Sequence, residues 1–257
     1  MATLEDFDLS NKNTDLNIPI QVDAKGSQCP GPVMALKSGM DKASIGQQVI
    51  VEATDPGFEN DALAWSAITG NPIISKSQND GIITVVFEKK TEIGKASIPP
   101  KEDNVTLIIF SEELDRGIAA FNIALGALSL GMKVEIFFTF WGLSLLRKHN
   151  TEKEKKTMAQ RLMDDLLPSN DKTLPLSHMN MMRLGAKFMS RVMKKEHITS
   201  LDFMIHLSKM DGIKFIACQM SMQMMGLTKE DLIDGVEVGG VATMIEYARK
   251  ANLNYFI

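Results

Sequence analysis

Cysteine is scarce in this chain, with two in 257 residues, too few for the disulfide framework of a secreted scaffold. Both are expected to remain free thiols in a reducing cytoplasm. No long apolar run is present either. The longest, Val134 to Leu146, contains Glu135 and falls short of a membrane span. The opening segment MATLEDFDLSNKNTD is acidic and lacks the basic region and apolar run of a secretion signal, so none is expected. A formal charge of −4 and a pI near 5.6 give no support to nucleic acid as the main partner. No glycine-rich phosphate loop joins a strand to a helix, which disfavours a nucleotide enzyme. The four histidines, at 149, 178, 197 and 206, have no metal-ligand spacing, and a lone cysteine makes no zinc site. Neither metal nor cofactor is expected.

What is present divides into two patterns. Residues 1–17 read as a flexible tail. From Ile18 the alternation Ile18, Ile20, Val22 marks a half-buried strand, and Val33, Leu36 and Met40 follow at helical spacing. Val49, Val51 and Ala53 alternate again, and Phe58, Ala62, Trp65 and Ile68 outline a second helix ending at Gly70. Ile73–Ile74 and Ile82–Val86 then read as strands flanking Asn79-Asp80-Gly81, a strong turn signal. The spacing predicts a small β-α-β-α-β-β two-layer sandwich over residues 18–90. Residues 91–101, with Pro99-Pro100 and neither periodicity, read as a linker.

Residues 102–257 open with a strand at Val105–Phe110, a helix carrying Ile118, Phe121, Leu125 and Leu128, and a dense apolar strand at Val134–Phe140. A further buried strand spans Ile213–Ala217, and Val241, Met244, Ile245 and Ala248 mark a late helix. Nearly continuous apolar strands separated by helices predict an open, mainly parallel α/β sheet. Methionine, 18 copies in all, concentrates after residue 178. Within the Met-rich, basic segment 179–195, Met181, Leu184, Phe188 and Val192 share one helical face and Arg183, Lys187, Arg191 and Lys195 another. Packing against the domain or a sister subunit is the first reading of that face. Docking of a partner and peripheral membrane contact are kept behind it.

The chemistry is expected at Cys29. It follows the first strand by a turn containing Gly26 and stands in Cys29-Pro30-Gly31-Pro32. Pro30 suits the first helical turn, where its missing N–H costs nothing. Gly31 keeps the approach open and Pro32 stiffens the turn. A sulfur at such a helix entrance is expected to favour the reactive thiolate. No second cysteine lies nearby, which disfavours exchange of the Cys-x-x-Cys kind. Cys218 ends the run Phe215-Ile216-Ala217 and precedes Gln219, placing it at the carboxyl edge of the second sheet, the usual location of a site in such folds. Arg116, which follows the first strand of that domain, is a candidate to steady an anionic sulfur species, with Gln219 as a second supporting residue.

The stretches Asp23-Ala24-Lys25-Gly26-Ser27-Gln28-Cys29-Pro30-Gly31-Pro32 and Ala53-Thr54-Asp55-Pro56-Gly57 closely resemble the TusA/SirA-like sulfur-carrier family, with Ala24-Lys25 where members usually have Leu-Arg. Phe138-Thr139-Phe140-Trp141-Gly142-Leu143 and Ile216-Ala217-Cys218-Gln219-Met220-Ser221-Met222 look like the DsrE/DsrF-like superfamily. The resemblances imply a cytoplasmic sulfur carrier or sulfurtransferase in which Cys29 takes sulfane sulfur as a persulfide. The donor would be a rhodanese-like or desulfurase-like protein or a low-molecular-weight persulfide. An acceptor thiol follows, on another protein or at Cys218 of the same chain or a neighbouring subunit. They also imply a homo-oligomer formed through the second domain. Two other readings stay open: a regulatory or scaffold protein docking sulfur-metabolism partners, and a thiol-disulfide oxidoreductase using Cys29 and Cys218.

Overall fold

The computed structural model describes residues 18–93, 102–148, 174–176, 191–196 and 198–257. The expected tail, most of the expected linker and most of the Met-rich basic segment lie outside the described residues. Of that segment, 191–195 are helical.

The first domain follows the predicted order: β1 (Ile20–Ala24), α1 (Gly31–Lys42), β2 (Gln48–Ala53), α2 (Phe58–Thr69), β3 (Ile73–Asn79) and β4 (Ile82–Glu88). Its four strands lie in the order β1-β2-β4-β3, with β1 parallel to β2 and the other pairs antiparallel. The hairpin β3–β4 turns on Asp80 and Gly81, both at positive φ (49° and 76°), as a tight two-residue turn requires. Gly70 ends α2 in the left-handed conformation at φ 73°. The alternation of β4 sends Ile83, Val85 and Phe87 inward against Leu36, Met40, Phe58 and Trp65. Gly39 is needed for contact between layers: a Cβ there would stand 2.5 Å from the Val22 side chain.

The second domain contains β5 (Asn104–Ile109), α3 (Leu114–Ser129), β6 (Lys133–Phe138), a 3₁₀ segment (Phe140–Leu146), α4 (Leu201–Met210), β7 (Lys214–Cys218), α5 (Gln219–Met224), β8 (Glu237–Gly239), α6 (Val241–Lys250) and β9 (Leu253–Phe256). Its five strands, in the order β8-β7-β6-β5-β9, are all parallel. The near-continuous burial of β5 and β6 reflects cover on both faces. Ile136, Phe138 and Phe215 face α3 and α4, while Phe137, Ile216 and Cys218 face α6 through Met244 and Tyr247.

The apolar run from Val134 does not continue as strand beyond Phe138. Phe140 takes φ 46° and the chain turns into the 3₁₀ segment. Gly142 makes that turn possible, because a Cβ would lie 2.2 Å from the Ile109 carbonyl oxygen. Strands β8 and β9 are too short for periodicity to reveal them.

One polar row crosses the sheet beneath α6: Thr106, Glu135 and Lys214 are register neighbours on β5, β6 and β7. Glu135 Oε2 and Thr106 Oγ1 are buried with no hydrogen-bond partner among the described residues. Burial pushes the Glu135 carboxyl above its ordinary pKa, partly countered by the Lys214 ammonium. A raised folded-state pKa makes ionisation costly, so this group's contribution falls as pH rises through that value. Glu135→Gln is therefore expected to raise the melting temperature at pH 8 by about 2–4 °C, with no gain at pH 4.

Candidate active site

Cys29 stands where the first domain meets the carboxyl edge of the second sheet. The loop carrying it begins at Gly26, whose φ of 77° makes the turn and whose N–H donates to Thr54 Oγ1 at 2.9 Å. Lys25, at the position of departure from the family pattern, ion-pairs with Glu52 and Asp23. Asp55, buried after β2, clamps the loop. One carboxylate oxygen accepts from the Cys29 N–H at 2.8 Å, and the other accepts from Gly57 N–H at 2.9 Å. Pro30 flanks the start of α1, Pro32 is buried in its first turn, and Gly31 closes against the Ser27 side chain.

The sulfur does not face the start of its own helix. Cys29 Sγ accepts from the Val241 N–H at 3.3 Å, at the first turn of α6 in the second domain. It also lies 3.9 Å from Asp61 Oδ2 on α2, to which the thiol can donate. The expectation of a depressed thiol pKa is overturned here. Burial pushes the Cys29 thiol up to about 11, the Val241 amide opposes this, and the Asp61, Cys218 and Asp55 charges add to the rise. The helix terminus does favour negative charge, but enclosure beside two carboxylates outweighs it.

Cys29 and Cys218 line one cavity of about 340 Å³. Cys29 and Pro30 enter from the first domain, while Ile108, Phe137, Met220, Met244 and Phe256 supply its apolar wall from the second. Cys218, buried at the end of β7, opens onto the same space. Both thiols are free. Gln219 is buried at the domain boundary, its Cβ 3.0 Å from where a Cβ on Gly57 would stand. Arg116 is not brought to the cavity: it is exposed and pairs with Glu113, its Nε 3.8 Å from the carboxylate. Lys214 donates to the Tyr247 hydroxyl at 3.0 Å and pairs with Glu237. His206 is exposed on α4, while His149, His178 and His197 lie outside the described residues.

Sequence reasoning missed Asp61. It is buried, and burial raises its pKa against the opposing hydrogen bonds from Thr243 and Gly240. Two signals pointed to it. Asp61 stands three residues after Phe58 and four before Trp65, so a carboxylate occupies the inward face of α2. Gly239 and Gly240 precede α6 without any side chain able to cap it.

Among the described residues no cluster of three or more His, Cys, Asp or Glu could hold a metal ion, and no helix is long and apolar enough to cross a membrane.

Comparison with known proteins agrees with the two-part architecture. Residues 101–256 match the DsrE/DsrF/DrsH-like family and residues 20–89 match the sulfurtransferase TusA family. YrkE of Bacillus subtilis is 34% identical over 152 residues, covering 59% of this chain and 95% of that protein. The sulfur carrier protein DsrE2 of Allochromatium vinosum is 30% identical over 162 residues, covering 61% of this chain and 99% of its own. The sulfur carrier protein TusA of the same organism is 33% identical over 69 residues, 27% of this chain and 91% of its own. The chain therefore belongs to the DsrE/DsrF/DrsH-like family and carries a TusA-like sulfurtransferase domain fused ahead of that domain.

Proposed function

We propose that the protein is a cytoplasmic sulfur carrier in which Cys29 receives sulfane sulfur as a persulfide and passes it to Cys218 of the same chain. The observation that carries this reading is the shared cavity: two free thiols from different domains open onto one apolar space. The space suits the chemistry. Sulfane sulfur is soft and weakly hydrated, and apolar walls keep water from the reacting sulfurs.

In the loading step a Cys29 thiolate attacks the outer sulfur of a donor persulfide, and the donor leaves as its thiolate. In the handover Cys218, as thiolate, attacks the outer sulfur on Cys29. The S–S bond to Cys29 Sγ breaks and its electron pair remains on that sulfur, which recovers a proton. The balance is Cys29–S–SH plus Cys218–SH giving Cys29–SH plus Cys218–S–SH, with no net oxidation. The Val241 N–H, directed at Cys29 Sγ, stabilises the charge that develops as the bond breaks. Donors fitting the loading step are rhodanese-like or desulfurase-like proteins and low-molecular-weight persulfides; the final acceptor is a partner thiol.

The test follows the mass of each cysteine peptide over time after a sulfane-sulfur donor is added. Sulfur is expected on Cys29 first and on Cys218 later. Gain on Cys218 without passage through Cys29 would sink the relay, as would gain on neither. Loss of two hydrogens joining the two peptides would instead assign a disulfide oxidoreductase.

A further inference from the structure

The domains meet at a helix start that cannot cap itself. Helix α6 begins at Val241 behind Gly239 and Gly240, so its first amides have no local side-chain acceptor. Asp61, from α2 of the other domain, supplies it. Its Oδ1 accepts from Gly240 N–H at 2.9 Å, Thr243 N–H at 3.0 Å and Thr243 Oγ1–H at 2.6 Å. The N–H of Val241, between them, is taken by Cys29 Sγ. One terminus therefore holds the carboxylate and the sulfur together. The fit leaves no slack: a Cβ on Gly240 would stand 2.1 Å from Asp61 Oδ2 and 2.9 Å from Cys29 Sγ. Asn60 reinforces the joint, donating to the Val238 carbonyl at 2.6 Å.

We propose that Asp61 is the positioning residue that seats Cys29 on α6 opposite Cys218, and that the seated state delivers sulfur while loading takes place with Asp61 withdrawn. This rests on the carrier reading of Cys29 and adds the regulation of its site.

The groups facing the seated sulfur are Asp61 on α2, Asp55 after β2 and Cys218 at the end of β7, with the Val241 amide as its donor. The two carboxylates and burial oppose a thiolate, which is the form that must attack an incoming donor. Seated Cys29 is thus a poor acceptor from outside. For delivery the seat supplies proximity: Cys29 and Cys218 open onto one cavity, and the Val241 N–H is directed at the sulfur that leaves. Once the sulfur has left, Cys29 is held as the protonated thiol, a poor nucleophile, so sulfur on Cys218 is not readily taken back. The pH dependence has a fixed sign. With the thiol pKa raised to about 11 in the seated state, seating is fully supported below the free-thiol value of about 8.5. That support is lost as pH rises toward 11.

The experiment measures iodoacetamide labelling of Cys29 in the full chain from pH 6 to 10, by peptide mass spectrometry, with no sulfur donor present. Asp61→Ala breaks the seat from the first domain and Gly240→Ala breaks it from the second, and a thermal melt of each near that of the parent excludes local unfolding as the cause. Each is expected to speed labelling at pH 7.5 by at least about tenfold, since each unit of pKa below its starting value yields ten times the thiolate. Each is also expected to return the midpoint of the pH profile to the ordinary thiol range. Unchanged rates in both variants, or a rise in only one, would overturn the proposal. The second readout is sulfur uptake from glutathione persulfide. Gly240→Ala is expected to load Cys29 faster and pass sulfur to Cys218 more slowly; uptake no faster than wild type would remove the loading half of the proposal. Absence of persulfide on Cys29 would sink the carrier reading, while the labelling result would still decide whether Asp61 seats the domain.

Discussion

Cys29→Ser is expected to reduce sulfur uptake by at least about a hundredfold, to background, because a serine hydroxyl ionises far too weakly to attack a persulfide. The substitution is close in volume. The Cys29 N–H bond to Asp55 comes from the backbone and does not depend on the sulfur. The fold and the domain junction should therefore survive, and a thermal melt near that of the parent would show it. Cys218→Ser is expected to behave differently. Sulfur should still arrive on Cys29 but remain there, raising the lifetime of the Cys29 persulfide. If Cys29→Ser leaves normal loading on Cys218, then Cys218 is the entry point and the proposed direction is wrong. If both variants load and release sulfur normally, partner docking alone becomes the better account of the first domain.

Phe138→Ala is the substitution expected to cost most in stability. Phe138 is fully buried, its ring set edge-on to Phe215 at 5.4 Å and tilted against Phe121 at 6.4 Å. Removing a ring from such a site forfeits apolar burial and leaves a cavity, together costing about 3–5 kcal/mol. That is a large share of the roughly 5–15 kcal/mol that holds an ordinary domain folded. The melting temperature of the second domain is expected to fall by roughly 6–20 °C. Leu130→Ala, at a side chain 79% exposed, serves as the control. It is expected to stay within about 0.5 kcal/mol of the parent. A functional consequence follows through register: Phe138 pairs with Ala217, the residue before Cys218. Loosening β6 against β7 should slow delivery to Cys218 before it affects loading of Cys29. Comparable losses of stability in Phe138→Ala and Leu130→Ala would contradict this picture of the core.

Much of the fold was legible because its signals are local. Val49, Val51 and Ala53 alternate, Phe58, Ala62 and Trp65 share a helical face, and Asp80-Gly81 can take the positive φ values of a tight turn. The parallel second sheet was legible for a related reason: strands covered on both faces must be apolar nearly throughout. Strands β8 and β9 were not, since three or four residues carry too little periodicity and their pairing is settled by neighbours distant in the chain. The extension of β6 to Phe140 failed at the Thr139–Phe140 turn, which depends on Gly142 meeting the backbone of Ile109. Arg116 was drawn toward the second thiol by its position after β5, but its side chain is exposed and paired with Glu113, the residue before α3.

The sequence by itself determined that Cys29 stands alone, on a short proline-framed turn after the first strand, and that Cys218 closes a strand of a parallel sheet. Those are properties of residue order and spacing. Only the tertiary structure decided what surrounds the sulfur. Asp61 comes beside Cys29 when α2 packs within the first domain, and Val241 and Cys218 meet it only when the two domains close. The electrostatic conclusion reversed for that reason. Seen locally, a helix start lowers a thiol pKa. Enclosed between domains with Asp61 and Asp55, the same thiol is held protonated, because burial and two carboxylates act on it more strongly than one amide of α6.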